Sequence, residues 1–396
     1  MLRTVEMKLY LTAAQEITLI SWLRTCCWLY NQALEQRIKS YRRRNESLSF
    51  MDQTAFLTHL RQRMPTLAEV PYEFAKDALR RVDRGMKAFF RRLKAGEKPG
   101  FPRFRSHTRY NSLEYLKAGS YVRLGNLLSI PKLGLVCFRA GNQVIPGKQK
   151  ILRIVRRASG WFAQVAVDDG LAAPPQVPIE YTVGVDVGLA SFATLSTGEK
   201  IDNPRFFRVS ERKLKRAQQR LCRCRKGSRN RRKAVCRVAR VHERIAAQRK
   251  DFAHQESRKL VNRFDLIGFE KLNIKGLAAS RLAKSIHDAA WSLFLWFVTY
   301  KAVNAGRHAI PVNPNGTSRE CPACGRVTTK SLSERIHRCP CGLILDRDEA
   351  SARVIRARAL GVAGASACGG IDLCRGNDPP VSRPSETGSR NGATHR

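Results

Sequence analysis

Two carboxylic acids of this sequence lie in apolar runs, where a hydrocarbon side chain would pack better. Asp186 lies inside the run from Tyr181 to Leu189, which is typical of a buried strand, and Glu270 ends a similar run that begins at Asp265. Because burying an unpaired ion is costly, such an acid is usually neutralised, paired or bound to a cation. For Asp186 alone, a carboxylate hydrogen-bonded to a turn explains the pattern equally well.

A third acidic position follows in the segment Leu345-Asp-Arg-Asp-Glu, where Asp346 or Asp348 marks the start of a predicted helix. Aspartates at this place are common helix caps, and for the segment alone capping is the first explanation. Together with Asp186 and Glu270, one of them could hold two Mg²⁺ ions about 4 Å apart, an arrangement that hydrolyses phosphodiester bonds. All-oxygen ligands suit Mg²⁺ or Mn²⁺ better than zinc.

Four cysteines occur as two close pairs, each followed by glycine. The pairs are Cys321 with Cys324 and Cys339 with Cys341. Thiolates at such spacing can hold one tetrahedral Zn²⁺, so we predict a structural zinc ribbon, with free buried thiols as the alternative. The second pair is C-x-C, whereas C-x-x-C is commoner.

The charge of the chain predicts a polyanionic partner. Its 396 residues include 73 Lys or Arg against 32 Asp or Glu, a net charge of +41. No fold needs such an excess, and nucleic acid is the partner that best explains it. The apolar runs are too short for a membrane span, and the start lacks a signal peptide. We therefore expect a cytoplasmic protein of a bacterium or archaeon, associated with the nucleoid and not with a membrane, whose twelve cysteines are thiols or metal ligands.

The elements around the acids predict a mixed sheet. Strand patterns at Phe192 to Leu195 and at Lys200-Ile201 follow the Asp186 strand, which is how a ribonuclease-H-like sheet begins. A helix from about Leu282 to Val303 and a strand at Ala309 to Val312 would extend it in parallel.

A very basic stretch separates the two acid-bearing strands. Residues 211–250 hold seventeen Lys or Arg against two Glu, with a thin apolar side. We predict a helical arm, broken at Gly227-Ser228, that lies along a nucleic-acid duplex.

The N-terminal part mixes strands and helices. Residues 2–11 are predicted to form a strand, Thr12 and Gln15 a capping box, and about Tyr72 to Lys94 a helix with one apolar face. Short strands are expected from Ser112 to Asp168. A small β-barrel flanking a helical insertion fits this order.

Several motifs, taken as a set, resemble the TnpB family, transposon-encoded RNA-guided nucleases related to the compact type V CRISPR effectors. The resemblance covers about Leu2 to Leu360. The motifs are Phe101-Pro-Arg-Phe104, Gly184-Val-Asp-Val-Gly-Leu189, Asn203-Pro-Arg-Phe206, Phe269-Glu-Lys-Leu-Asn-Ile-Lys-Gly276, Thr317-Ser318 and Cys341-Gly-Leu-Ile-Leu-Asp-Arg-Asp348.

The resemblance implies an α/β multidomain fold. Its expected parts are a wedge β-barrel domain (1–11 and 95–180), a helical recognition domain (12–94), a RuvC-like, that is ribonuclease-H-like, nuclease domain (181–312) containing the basic arm (211–250), a zinc ribbon (313–344) and a final RuvC helix (345–362). Beyond the resemblance, the chain turns to Gly, Ala, Ser and Pro with scattered charge, a composition that predicts a disordered tail (363–396).

The family's catalytic acids fall on Asp186, Glu270 and Asp348, which would bind two Mg²⁺ ions, with Mn²⁺ as a substitute. The four paired cysteines would bind one structural Zn²⁺. The family usually has Asn-Ala-Ala where this chain has Ala350-Ser-Ala352. This departure puts local helix packing, or hydrogen bonding around the metal, in doubt without removing a carboxylate.

The function implied is that of an RNA-guided DNA endonuclease of a transposon. Its partners would be a guide RNA from the transposon end and double-stranded target DNA carrying a short adjacent motif. Two alternatives remain: a guide-RNA-dependent DNA-binding repressor that does not cut, and a metal-dependent nuclease or recombinase that needs no RNA.

Overall fold

A computed structural model of the chain describes residues 2–117, 119, 121–123, 126–139, 147–172, 174–331 and 334–363. The chain divides into two compact units, Met1–Ala172 and Ala173–Arg396. The predicted disordered tail lies outside the described residues, apart from Ala363. Within the described part, no helix combines the length and the apolar character needed to cross a membrane.

Over its described residues, the first unit consists of seven strands and four helices. They are β1 (Leu2–Tyr10), α1 (Ala13–Arg44), α2 (Phe50–Arg63), α3 (Pro65–Glu69), α4 (Tyr72–Lys94), β2 (Ser112–Tyr115), β3 (Val122–Arg123), β4 (Leu127–Ile130), β5 (Gly134–Phe138), β6 (Lys148–Arg157) and β7 (Gly160–Asp168). The predicted capping box at Thr12 and Gln15 begins α1.

The strands of the first unit form one sheet in the order β2-β6-β7-β1-β5-β4-β3. The first strand of the chain is therefore central, antiparallel to β7 on one side and to β5 on the other. Leu34 and Phe74 of the helices share one apolar core with Leu152 and Val165 of the sheet. Closure of this sheet into a barrel stays a prediction.

The second unit contains seven strands and six helices among the described residues. They are β8 (Thr182–Val187), β9 (Ser191–Leu195), β10 (Lys200–Asp202), α5 (Phe206–Arg223), α6 (Arg229–Arg263), β11 (Leu266–Glu270), α7 (Ile274–Leu277), α8 (Ala283–Ala289), α9 (Trp291–Asn304), β12 (His308–Val312), β13 (Ile336–Arg338), β14 (Ile344–Asp346) and α10 (Arg347–Val362).

Its main sheet has the order β10-β9-β8-β11-β12. Strands β8, β9 and β10 are antiparallel, whereas β8, β11 and β12 run parallel to one another. The three antiparallel strands and the parallel extension predicted from the sequence are both present. Because side chains alternate along a strand, each strand serves two different faces of this sheet.

One face of the sheet packs against α6 and α9. Val183 and Val185 of β8 and Phe269 of β11 join Phe264 and Phe294 in this core. Such continuous apolar packing explains why β8 and β11 are recognisable in the sequence as short apolar runs.

The other face of the sheet carries α10 at very short range. A Cβ atom on Gly184 would lie 1.9 Å from the backbone oxygen of Ala352, and one on Gly268 would lie 2.6 Å from the Cβ of Ala359. Glycine at these two positions lets the helix backbone lie directly on β8 and β11. The acids that follow on the same face are thereby brought next to α10.

The helix predicted from about Leu282 to Val303 is two helices. Ala290 adopts a left-handed conformation, φ 56°, and separates α8 from α9. Both helices bury apolar residues in the same core, Ile286 from α8 and Phe294 from α9. The apolar pattern therefore continues across the break, and its periodicity gives no sign of it.

The basic stretch forms the predicted two-helix arm. Gly227, φ 85°, turns the chain between α5 and α6, and the Ser228 side chain caps α6 by accepting a hydrogen bond from the Arg231 amide. In α5 only Leu214 is buried. Most of its Lys and Arg side chains are exposed.

Candidate active site and metal centre

Asp186 and Glu270 stand at the same end of two adjacent parallel strands. The register pairs Gly268 with Gly184 and Phe269 with Val185, so the next residue of each strand is one of the two acids. Both acids alternate onto the α10 face and are partly exposed. Two carboxylates that are far apart in the sequence therefore lie side by side at the carboxyl ends of β8 and β11.

The third acid comes from the first turn of α10. Asp348 is the second residue of this helix and is partly exposed. It lies close enough to Asp186 for its charge to raise the pKa of Asp186. The structure thus brings the three predicted catalytic residues, Asp186, Glu270 and Asp348, into electrostatic contact.

Asp346 has a different place from Asp348. It is the N-cap of α10, and its Oδ1 accepts hydrogen bonds from the backbone amides of Asp348 (2.9 Å) and Glu349 (3.3 Å). Its Oδ2 lies 2.8 Å from Nζ of Lys200. Burial alone would raise the pKa of Asp346, but the hydrogen bonds from Lys200 and from the two amides lower it below its usual value. Both oxygens of Asp346 therefore have hydrogen-bond partners within the fold.

The electrostatics of the site favour a cation. Loss of solvent raises the pKa of Asp186 well above its usual value, and the charges of Glu270 and Asp348 raise it further, against a hydrogen bond from Ser351 and the charge of Arg347. Burial also raises the pKa of Glu270. Carboxylates that repel one another in a partly dry site are stabilised by a divalent ion between them.

The donor set suits magnesium or manganese, since only carboxylate oxygens are offered. Among the described residues, the four cysteines are the one group of three or more His, Cys, Asp or Glu side chains already close enough together to hold an ion, and the three acids do not form such a group. Each of the three acids retains solvent exposure, which leaves room for water and substrate oxygens as further ligands.

The departure at Ala350-Ser-Ala352 has a structural consequence. Ser351 is 2 % exposed, and it lies close enough to Asp186 for its hydroxyl to lower the pKa of that carboxylic acid, against the effect of burial. Ala350 and Ala352 are also buried, and the Ala352 carbonyl occupies the space left by Gly184. The altered motif therefore fits the helix packing, and its serine lies near a predicted catalytic acid.

The four paired cysteines converge beside the β13–β14 hairpin. Sγ of Cys321 lies 3.7 Å from that of Cys341, and Sγ of Cys324 lies 3.5 Å from that of Cys339. All four ligand atoms lie within 4.8 Å of one another. The cysteines are free thiols, so the four-cysteine site predicted from the spacing is present despite the C-x-C pair. This arrangement fits one tetrahedral Zn²⁺.

Glycine follows each cysteine pair because the chain turns there. Gly325 and Gly342 have φ values of 73° and 88°, and their amides bond the carbonyls of Cys321 and Cys339. These turns fold each pair of cysteines into a compact loop around the thiol cluster.

The surroundings of Cys321 favour the thiolate. Burial alone would raise the pKa of this thiol, but the backbone amides of Cys324 and Ala323, together with His337, lower it to about 6. His337 is fully buried, and its Nδ1 accepts a hydrogen bond from the ammonium group of Lys330. The other ring nitrogen, Nε2, is buried and has no hydrogen-bond partner among the described residues.

Sequence reasoning missed the roles of four residues around the two sites. They are Lys200, Thr317, His337 and Ser351. Lys200 and Thr317 make hydrogen bonds to acids far away in the chain, and Ser351 and His337 lower the pKa values of Asp186 and Cys321, relations that no local pattern reveals. Thr317 alone carried a signal, because Thr317-Ser318 belongs to the motifs of the family resemblance, but the motif gave it no role.

Family models and relatives agree on what this chain is similar to. Residues 162–281 match a model described as "Probable transposase", 291–355 one described as "Cas12f1-like, TNB domain" and 1–46 one described as "Helix-turn-helix domain". A Streptomyces pristinaespiralis protein named "Putative RNA-guided DNA endonuclease" is 32% identical over 375 residues, covering 93% of this chain and 91% of that protein. This chain belongs to the TnpB family.

Other members and structures show the same span. "Putative RNA-guided DNA endonuclease InsQ" of Escherichia coli (strain K12) is 25% identical over 344 residues, covering 82% of this TnpB-family chain and 84% of that protein. The structure described as "Structure of the mini-RNA-guided endonuclease CRISPR-Cas_phi3" has 10% identity and a TM-score of 0.48, covering 91% of this chain and 93% of that one. The segment 1–46, matched by the helix-turn-helix model, folds here as β1 followed by the single helix α1.

Proposed function

We propose that this protein is an RNA-guided DNA endonuclease of a transposon. The observation that carries the proposal is that Asp186, Glu270 and Asp348 lie near one another at the carboxyl ends of β8 and β11, on the face covered by α10. The charges of Glu270 and Asp348 raise the pKa of Asp186. Membership of the TnpB family, and relatives named as RNA-guided DNA endonucleases, support it.

In this proposal the second unit is a RuvC-type nuclease. Asp186, Glu270 and Asp348 would hold two divalent ions, Mg²⁺ or Mn²⁺, through carboxylate oxygens. Bound in this way, the ions would activate a water and stabilise the leaving 3′ oxygen of a phosphodiester. The chain supplies the placement: β8 and β11 fix two acids by register, and the first turn of α10 fixes the third.

The remaining parts are assigned from the family resemblance and the charge. We assign residues 1–11 and 95–180 to a wedge barrel, 12–94 to a recognition domain, 313–344 to a zinc ribbon and 345–362 to the final RuvC helix. The exposed cations of α5 and α6 face the backbone of a guide RNA from the transposon end or its duplex with target DNA.

The test uses the full chain co-expressed with RNA transcribed from its own flanking DNA. The complex is incubated with Mg²⁺ and a plasmid library that carries a randomised motif beside the target, with Asp186→Ala in parallel. We expect guide-dependent cuts next to one enriched motif, absent in the variant. Guide-dependent binding without cuts from either protein would favour the repressor, and cuts without any RNA would favour the RNA-independent nuclease.

A further inference from the structure

Glu270 receives a hydrogen bond from a buried threonine outside the sheet. Oγ1 of Thr317 lies 2.5 Å from Oε1 of Glu270 and 3.0 Å from the carbonyl oxygen of Pro314. Thr317 is 3% exposed. A hydroxyl has one proton, and the shorter, charge-assisted contact with the carboxylate is the stronger of the two.

This contact fixes how the carboxylate can be used. Accepting from Thr317 uses one lone pair of Oε1 and holds the plane of the carboxylate, and both oxygens of Glu270 keep lone pairs for a cation. A side chain held by its own hydrogen bond loses less freedom when it binds a metal, which is how partners behind a ligand raise metal affinity.

The loop that carries Thr317 is tied to α10 by one arginine. NH1 of Arg358 donates to the carbonyl oxygens of Asn313 (2.8 Å) and Asn315 (2.9 Å), and its NH2 lies 2.5 Å from Oε2 of Glu320. These contacts bracket Thr317 on both sides. The loop therefore cannot move Thr317 away from Glu270 without breaking several bonds to α10.

The same loop leads directly into the cysteine site. Glu320 precedes Cys321, and on the far side of the ribbon β14 ends at Asp346, the cap of α10. One end of the ribbon thus holds Thr317 against Glu270, and the other end leads to Asp348. Both connections of the four-cysteine module enter the candidate active site.

We propose that Thr317 is a positioning residue that orients the Glu270 carboxylate toward a divalent cation, on a loop held by Arg358. The inference rests on the proposed function only in taking Glu270 as a cation ligand. It assigns a chemical role to the Thr317-Ser318 motif that precedes the cysteines.

The test measures Mn²⁺ binding to the zinc-loaded, RNA-free full chain by electron paramagnetic resonance of free Mn²⁺. Asp186→Ala gives the background of sites that do not depend on the acids. We expect Thr317→Val, which keeps the side-chain shape and removes the hydroxyl, to weaken the acid-dependent binding roughly tenfold or more, as a lost hydrogen bond to a charged group does. Thr317→Ser should bind nearly as wild type does.

Thr328→Val is the matched control. The Thr328 hydroxyl lies in the same ribbon but donates to the Arg319 carbonyl, away from the acids, so its loss should leave Mn²⁺ binding unchanged. Zinc content and melting temperature are measured for every variant. If Thr317→Val loses zinc or melts early, the pair Thr317→Ser and Thr317→Ala decides, since these two variants differ only in the hydroxyl.

The outcomes separate this inference from the proposed function. Wild-type affinity in Thr317→Val, above the Asp186→Ala background, would overturn the role of Thr317 and leave the acid site standing. Equal Mn²⁺ binding by wild type and Asp186→Ala would count against the cation site itself, and with it against both proposals. A second readout is cleavage, where Thr317→Val should need more Mg²⁺ for half-maximal rate and recover at high Mg²⁺.

Discussion

Lys200 and Asp346 form an ion pair at 2.8 Å that joins strand β10 to the cap of α10. The other oxygen of Asp346 receives the amides of the helix's first turn. This relationship distinguishes two aspartates that the residues alone left equivalent. Asp346 caps the helix and pairs with Lys200, which supports the prediction that Asp348 is the cation ligand of the two.

Substitution should separate these roles. Asp346→Asn keeps a good N-cap, so cleavage should stay within a few-fold of wild type, whereas Asp346→Ala should lower the free energy of unfolding by about 1 kcal/mol. Asp348→Asn should abolish cleavage with little effect on stability. Urea unfolding and plasmid cleavage measure the two effects. Loss of cleavage in Asp346→Asn with an unchanged unfolding midpoint would make Asp346 a ligand.

The close contact between β8 and α10 predicts that Gly184 tolerates no side chain. In Gly184→Ala the new Cβ would meet the Ala352 carbonyl, a backbone atom that cannot turn aside, and we expect a loss of ~3 kcal/mol or more. Gly361→Ala in α10 is the control, because the new Cβ at this position would meet no neighbouring atom within 4 Å. The free energy of unfolding of the control variant should rise by up to about 1 kcal/mol. Equal stability of both variants, measured by urea unfolding, would contradict this packing.

The raised pKa of Asp186 predicts a pH dependence in buffer without added Mg²⁺. The pKa of Asp186 in the folded state lies above its usual value of 3.8. The contribution of protonated Asp186 to the free energy of unfolding is therefore fully present below pH 3.8, and it is lost as the pH rises through the folded-state pKa. At pH 8, Asp186→Asn should therefore melt at a higher temperature than wild type, by roughly 2–4 °C for each kcal/mol by which its free energy of unfolding is larger.

This difference should vanish on acidification below about pH 4, where Asp186 is protonated in both states. Added Mg²⁺ should raise the melting temperature of wild type and leave the variant unchanged. Differential scanning calorimetry provides the test. A variant that melts lower than wild type at pH 8 would mean that the charge of Asp186 is compensated by the fold itself.

The cysteine cluster predicts one zinc ion per chain. Cys321→Ser removes a buried member of the cluster and should lose zinc, with a drop in melting temperature. Cys222→Ser replaces an exposed thiol of α5 outside the cluster, and this variant should keep the zinc content and the melting temperature of wild type. Elemental analysis of the purified proteins gives the metal content. Full zinc occupancy in Cys321→Ser would show that the cluster is not the zinc site.

His337 offers a subtler test of the same centre. Its buried ring favours the Cys321 thiolate, so His337→Gln should release zinc to a competing chelator faster than wild type, in the range of tenfold for such a supporting contact. The zinc content before competition should be unchanged. Release at the wild-type rate would mean that the ring only fills space.

The sequence by itself determined the local elements of the site and their chemistry. An acid inside an apolar run marked β8 and β11, cysteine spacing marked the metal cluster, and Gly227-Ser228 marked the break in the basic arm. These features depend on neighbours within a few residues, so periodicity and turn chemistry reveal them. The family resemblance then selected Asp348.

Only the tertiary structure decided how these pieces meet. Three kinds of contact are non-local. They are the register of β8 with β11, the packing of α10 on Gly184 and Gly268, and the hydrogen bonds of Lys200 and Thr317 to acids far along the chain. The break at Ala290 escaped the sequence pattern because α8 and α9 bury their apolar faces in one core. Pairings between distant segments depend on packing of the whole unit, and no short stretch of sequence encodes that packing.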